Sequence, residues 1–216
     1  MRNLDPRVLI VYYSSTGTIH RLAEAFVDGA TDSGAEVRLR TVPELAPQPV
    51  VDANPAWRDH LDATAHIQKA THDDLRWAQA YAFGTPTRFG NMASQLRQFL
   101  DTTSALWEAG ELAEKPTTAF AASYEDHGGQ ESTLLSLYNT MYHWGSLILP
   151  TGYLDYDISH AAGGNPYGVS LAAGRADVDP DYHQAVLAAA YHQGGRLATL
   201  TGALTAARGL DLAGQR

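Results

Sequence analysis

The 216-residue chain has no cysteine. That removes disulfides, iron–sulfur clusters, thiolate zinc sites and a cysteine nucleophile together. Positive charge is scarce as well: 15 Lys and Arg stand against 24 Asp and Glu, a formal net charge of −9. So acidic a chain has no electrostatic footprint for a nucleic-acid backbone or an anionic membrane surface. No run of about 18 apolar residues occurs, which excludes a membrane-spanning helix. The opening Met1-Arg2-Asn3-Leu4-Asp5-Pro6 lacks the apolar stretch of a signal peptide. Ligand spacing is missing from the histidines. His60, His66 and His72 are six apart, and His183 and His192 nine apart, whereas two ligands on one helix face sit at i, i+4. No metal site is expected. A Gly-x-Ser-x-Gly elbow is also absent, which argues against a serine hydrolase. The expectation is a soluble, cytoplasmic globular protein: 44% of its residues are hydrophobic, enough for a packed core.

Alternating segments fill the chain. Val8 to Tyr13 is a continuous β-branched and aromatic run, the pattern of a strand covered on both faces. A Ser/Thr/Gly cluster follows, then Leu22, Ala23, Ala25, Phe26 and Ala30 at helical spacing, then an edge-like strand at Val37 and Leu39. A third strand is expected over Trp77–Phe83, followed by a helix carrying Met92, Leu96, Phe99, Leu100 and Leu106. A fourth strand spans Thr117–Ser123, and a helical stripe of Leu134, Leu135, Tyr138 and Met141 leads to a fifth strand at Leu147-Ile148-Leu149. The last helix starts near Pro180, suited to a first turn, and buries Val186, Leu197 and Leu200. These βαβ units predict an α/β fold: a doubly wound, five-stranded parallel sheet in the order 2-1-3-4-5, sandwiched between helical layers as α/β/α. Residues 1–216 are read as one domain, with a surface excursion near 43–72 and an insertion after the fifth strand near 153–179.

In such a sheet, ligands bind beyond the carboxyl ends of the strands, where the strand order reverses. Three loops of unusual composition fall there: Ser14–Ile19, Thr85–Asn91 and Ser123–Gln130. The first, Ser14-Ser15-Thr16-Gly17-Thr18-Ile19, offers hydroxyls and the free N–H groups of a helix start, a cradle for phosphate. A Ser/Thr-rich helix cap would look the same. It is neither a Walker A loop nor a Gly-x-Gly-x-x-Gly fingerprint. In the second, glycines admit close backbone approach to a flat ligand, Pro86 stiffens the loop, and Phe89 is an aromatic placed where packing rarely asks for one.

With Tyr12-Tyr13-Ser14-Ser15-Thr16-Gly17, Gly84-Thr85-Pro86-Thr87-Arg88-Phe89-Gly90-Asn91-Met92, Phe99-Leu100-Asp101 and His127-Gly128-Gly129-Gln130-Glu131, the chain resembles the WrbA family of flavodoxin-like NAD(P)H:quinone oxidoreductases. The likeness continues through His143, Gly152-Tyr153 and Gly164-Asn165-Pro166-Tyr167-Gly168, leaving out 43–72. It implies FMN as cofactor, NADH or NADPH as co-substrate, and two-electron hydride reduction of quinones to hydroquinones by a ping-pong cycle. Ser14, Thr16, Gly17, Thr18 and Ile19 would hold the FMN phosphate. Thr87, Arg88, Phe89, Gly90 and Asn91 would border the ribityl chain and ring, and Ser123, Tyr124, Glu125, Asp126, His127 and Gly128 its pyrimidine side. The resemblance also implies a homotetramer whose active sites are shared between subunits, with Phe89, Trp107, His143 and Tyr153 boxing the flavin. Of these, His143, Tyr153 and Trp107 are the expected catalytic residues, His143 and Tyr153 orienting or protonating the quinone oxygens. Thr16, Tyr124–His127 and Trp144 depart from the family pattern. Two other classes remain: a flavodoxin-type electron carrier, and a non-catalytic regulatory binding protein.

Overall fold

A computed structural model describes residues 5–214, with backbone alone over 209–214; of the opening stretch read for a signal peptide, Met1–Leu4 lie outside the described residues. β1 (Arg7–Tyr12) is apolar because both faces are covered. Val8, Ile10 and Tyr12 enter one core and Leu9 and Val11 the other, the alternation any strand imposes. β2 (Glu36–Thr41) lies on one side of it and β3 (Ala80–Arg88) on the other, both parallel, and β5 (Pro116–Ser123) continues the sheet beyond β3. The far edge position is shared. β6 (Leu147–Ile148) pairs with the start of β5, and β7 (Val169–Ala172) with its end.

Counting those two pieces as one strand, the order is the expected doubly wound one. The insertion thus lies within the fifth strand position: residues 153–179 hold α8 (Tyr156–Ala161), β7 and α9 (Ala173–Ala176). The third strand starts later than Trp77 because α4 (His72–Trp77) occupies that stretch. Thr71 opens it with a capping box, its Oγ1 accepting from the Asp74 N–H while the Asp74 carboxylate accepts from the Thr71 N–H. The strand also runs on to Arg88 and folds back as β4 (Asn91–Met92), so the expected loop is a hairpin. The single helix expected beyond it is two, α5 (Ser94–Asp101) and α6 (Ser104–Glu108). Thr102 and Thr103 break it, their hydroxyls donating back to the carbonyls of Phe99 and Leu100.

Helices α1 (Thr18–Asp32) and α10 (Pro180–Gly214) cover one face, and α4, α5, α6 and α7 (Gln130–Trp144) the other. Phe26 of α1 stacks on Phe120 of β5, ring centroids 4.6 Å apart. α1 and α10 approach through glycine: a Cβ on Gly29 would lie 1.9 Å from the Tyr191 carbonyl oxygen, and one on Gly194 2.3 Å from that of Phe26. Leu135 and Leu200, assigned to buried stripes, are exposed instead. Each belongs to a helix whose apolar arc is wider than the face the sheet can cover.

The excursion carries α2 (Gln48–Asp52) and α3 (Pro55–Ala63). It is tied down by Glu44, whose carboxylate accepts from Tyr13 Oη (2.8 Å), Trp57 Nε1 (3.1 Å), Gln95 Nε2 (2.6 Å) and the N–H groups of Leu45 and Ala46. Burial opposes ionisation, but these donors prevail and hold the Glu44 pKa below its usual value.

Candidate functional site

The three loops do converge. They enclose an open cleft of about 760 Å³ at the carboxyl ends of β1, β3 and β5, lined from each loop in turn and by Ala173. On the first wall Gly17 caps α1 in the left-handed region, φ 96°, and its N–H donates to Ser14 Oγ at 3.0 Å. The first backbone bond of the helix is Arg21 N–H to Gly17 O. The N–H groups of Thr18, Ile19 and His20 therefore have no partner among the described residues, nor do the hydroxyls of Ser15, Thr16 and Thr18. Free donors at the positive end of a 15-residue helix suit an anion.

The hairpin makes the second wall. Its two turn residues both have positive φ, 53° at Phe89 and 77° at Gly90, and the Phe89 side chain is fully exposed. A bulky residue in that region costs about 1–2 kcal/mol. Core packing therefore does not explain Phe89; the turn holds its ring out beside the cleft. Thr87 steadies the base, its Oγ1 accepting from Thr133 Oγ1 at 2.7 Å and from the Gly90 N–H at 3.2 Å. Gly129, at the start of α7, leaves no room for a side chain: its Cβ would meet Gly90 Cα at 2.9 Å.

The third wall is built around one carbonyl. Glu125 O accepts from Ser123 Oγ, Gln130 Nε2 (2.8 Å) and the Gly128 N–H (3.2 Å). This leaves the N–H groups of Glu125, Asp126 and His127 free among the described residues, and Gly128 is required because its Cβ would lie 2.5 Å from that of Ser123.

The cleft thus unites Ser14, Thr16, Thr18, Ile19, Thr87, Arg88, Ser123 and Tyr124, with Gly17 and Gly128 shaping the turns. Phe89, Gly90 and Asn91 stand at its lip, where Asn91 Nδ2 donates to Phe89 O at 3.2 Å. Asp126 and His127 turn toward a neighbouring depression shared with Arg175 and Tyr182. Three residues stand elsewhere. Trp107 and His143 meet each other, Trp107 Nε1 donating to His143 O at 2.7 Å. They sit near the amino end of β5, because α7 runs about 20 Å away from the cleft before it reaches them. Tyr153 lies on the insertion, donating to Gly164 O at 3.1 Å. Trp144 is a core residue, edge-on to Tyr81 and Phe83. Ala122 and Ala173, which line the cleft, carry no signal in their chemistry. No group of three possible metal ligands and no helix able to cross a membrane occurs among the described residues.

The family described as NADPH-dependent FMN reductase matches residues 6–160. A protein of Deinococcus radiodurans named NAD(P)H dehydrogenase (quinone) is 45% identical over 167 residues, covering 77% of this chain and 83% of that one. One of the same name from Geotalea daltonii is 44% identical over 207 residues, covering 94% and 100%. The chain belongs to the WrbA branch of this family. Among solved structures, a WrbA-like flavodoxin protein of Agrobacterium tumefaciens superposes with a TM-score of 0.61 at 23% identity, over 91% of this chain and 97% of that one. An archaeal flavodoxin gives 0.56 at 17% identity, over 90% and 98%. Both share the fold.

Proposed function

We propose that this WrbA-family chain is an FMN-dependent NAD(P)H:quinone oxidoreductase, reducing quinones to hydroquinones by two electrons in a ping-pong cycle in the cytoplasm. The observation that carries the reading is the set of free N–H donors at the start of α1 beside a slot bounded by the hairpin and the 124–128 loop. The donor set fits FMN. The amides of Thr18, Ile19 and His20, with the hydroxyls of Ser15, Thr16 and Thr18, would hold the phosphate. Thr87 and Arg88 would border the ribityl chain, and Phe89 the ring face. The free amides of Glu125, Asp126 and His127 would lie along the pyrimidine edge, where fixed donors favour developing negative charge. Bound there, the flavin supplies the hydride relay between nicotinamide and quinone.

The positions of Trp107 and His143 favour an assembly. Both are exposed near the amino end of β5, Trp107 at 50%, and Tyr142 and Leu147 beside them are exposed apolar residues as well. In a homotetramer these surfaces would pack against a neighbour, and Trp107 and His143 of one protomer, with Tyr153, would complete the pocket of another. There His143 would bind or protonate a quinone oxygen, as imidazole can near neutrality.

An anaerobic titration of FMN-reconstituted protein with NADH and NADPH, followed by benzoquinone, tests the reading. The expected result is loss of flavin absorbance with nucleotide and immediate return with quinone. Flavin that binds but stays oxidised would point to an electron carrier awaiting a protein reductase. Failure to bind flavin would leave a regulatory binding protein.

A further inference from the structure

The phosphate loop contains no cation, yet three basic side chains gather behind it. His20, in the first turn of α1, lies between Tyr12 of β1 and His60 of α3. Its Nδ1 is 2.8 Å from Tyr12 Oη, its Nε2 is 3.3 Å from Glu24 Oε1, and its ring centroid is 5.4 Å from that of His60. His60 reaches the loop itself: a Cβ on Gly17 would lie 3.5 Å from His60 Nδ1 and 3.9 Å from an Arg21 guanidinium nitrogen. Arg21 has no ion-pair partner among the described residues. The site is constructed, since Asn54 caps α3 by accepting from the Trp57 N–H and Trp57 is tied to Glu44.

The surroundings keep both rings uncharged until an anion arrives. Burial, with His20 and Arg21 adding positive charge, lowers the His60 pKa to about 4. Burial also lowers that of His20; Glu24 opposes, while His66 and Arg21 add to the effect. The positive end of α1 acts in the same sense. These are the titratable and charged groups facing the pair from β1, α1, α3 and the segment after α3. A phosphate monoester is close to a dianion at pH 7. Seated on the loop, it would reverse this balance and draw protons from solvent onto the imidazoles.

We propose that His60 and His20, together with Arg21, form a proton-taking subsite for the phosphate monoester of the flavin, one that makes this chain select FMN over riboflavin. The inference rests on the FMN reading above. It assigns to the excursion, through α3, a part in cofactor binding.

Calorimetry of flavin-free protein in two buffers of different ionisation enthalpy counts the protons directly, and needs no variant. FMN binding at pH 6.5–7 should take up protons, and riboflavin binding none. Flavin fluorescence quenching then gives Kd. H60Q should weaken FMN binding about tenfold at pH 6 and less than threefold at pH 8, by loss of the linked proton, and leave riboflavin within about twofold. H20Q/H60Q should abolish the uptake. FMN binding with no proton uptake by the native protein, or the same uptake and the same FMN-to-riboflavin ratio in the double variant, overturns the subsite and leaves the functional reading standing. Binding of neither flavin overturns both.

Discussion

Phe89 combines two properties that packing does not reconcile, a left-handed backbone and a fully exposed ring. A residue that costs conformational energy and buries nothing fits the proposed flavin contact better than a packing role. F89N, which tolerates positive φ, should therefore raise thermal stability by about 1 kcal/mol while weakening flavin binding. Paired melting curves and flavin titrations check both signs; a variant that loses stability would mean the ring supports the apo fold. Asp74 behaves oppositely. It is 4% exposed and salt-bridged to Arg38 at 3.0 Å and Arg40 at 3.1 Å. Burial raises its pKa, but bonds from Arg40, Thr71 and Arg38 outweigh that and hold it below the ordinary value. The carboxylate thus stabilises the fold above its unfolded pKa of about 4, and the contribution disappears as pH falls through the lower, folded value. D74N should cost about 2–3 kcal/mol at pH 7 and much less at pH 3, read from urea unfolding at both. The loop at the start of α1 was legible residue by residue because a helix start advertises itself in Ser, Thr and Gly. His20 and His60 were not. They are 40 positions apart, and only the path of the excursion brings them together.

At the scale of elements, strands β1 and β5 could be read almost to the residue, since a strand covered on both faces is apolar without interruption. The β3–β4 hairpin could not. Its turn is Phe-Gly rather than the Asn-Gly or Asp-Gly that usually marks a type I′ turn, so the stretch reads as a loop. The division of the edge strand was hidden for another reason: its first piece, β6, was expected, but β7 has only four residues, too few to show a period. Helix pairing was equally silent, because a glycine at a helix contact looks like a helix breaker. Gly194 makes the point. An added Cβ 2.3 Å from the Phe26 carbonyl oxygen strikes backbone, which cannot rotate away. G194A, which would favour helix by about 1 kcal/mol in isolation, should instead destabilise by about 3 kcal/mol. Alanine at Gly202, whose nearest neighbour to a Cβ is Pro6 at 3.8 Å, is the control and should be neutral or stabilising.

Across the whole molecule, the cleft and the Trp107–His143 pair occupy opposite ends of the sheet. If neighbours share sites, two defective chains can repair each other. H143A, and separately a loop variant such as S14A/T18A that cannot hold flavin, should each have low quinone reductase activity. Mixed and reassembled, they should regain a substantial fraction, since some pockets would carry an intact loop from one chain and an intact His143 from another. Activity no greater than the sum of the separate variants would mean that neighbours do not share sites. The first and last helices are also wedded, α1 lying on α10 with glycines at the contact. Phe26 and Gly194 are 168 positions apart, which at about 5–20 residues per second is roughly 8–35 seconds of synthesis. Throughout that interval the part of α1 that α10 covers, around Phe26 and Gly29, is made but lacks its helix mate. A growing chain therefore carries a sticky stripe for most of its translation, and a ribosome-bound chaperone would find its longest-lived target there.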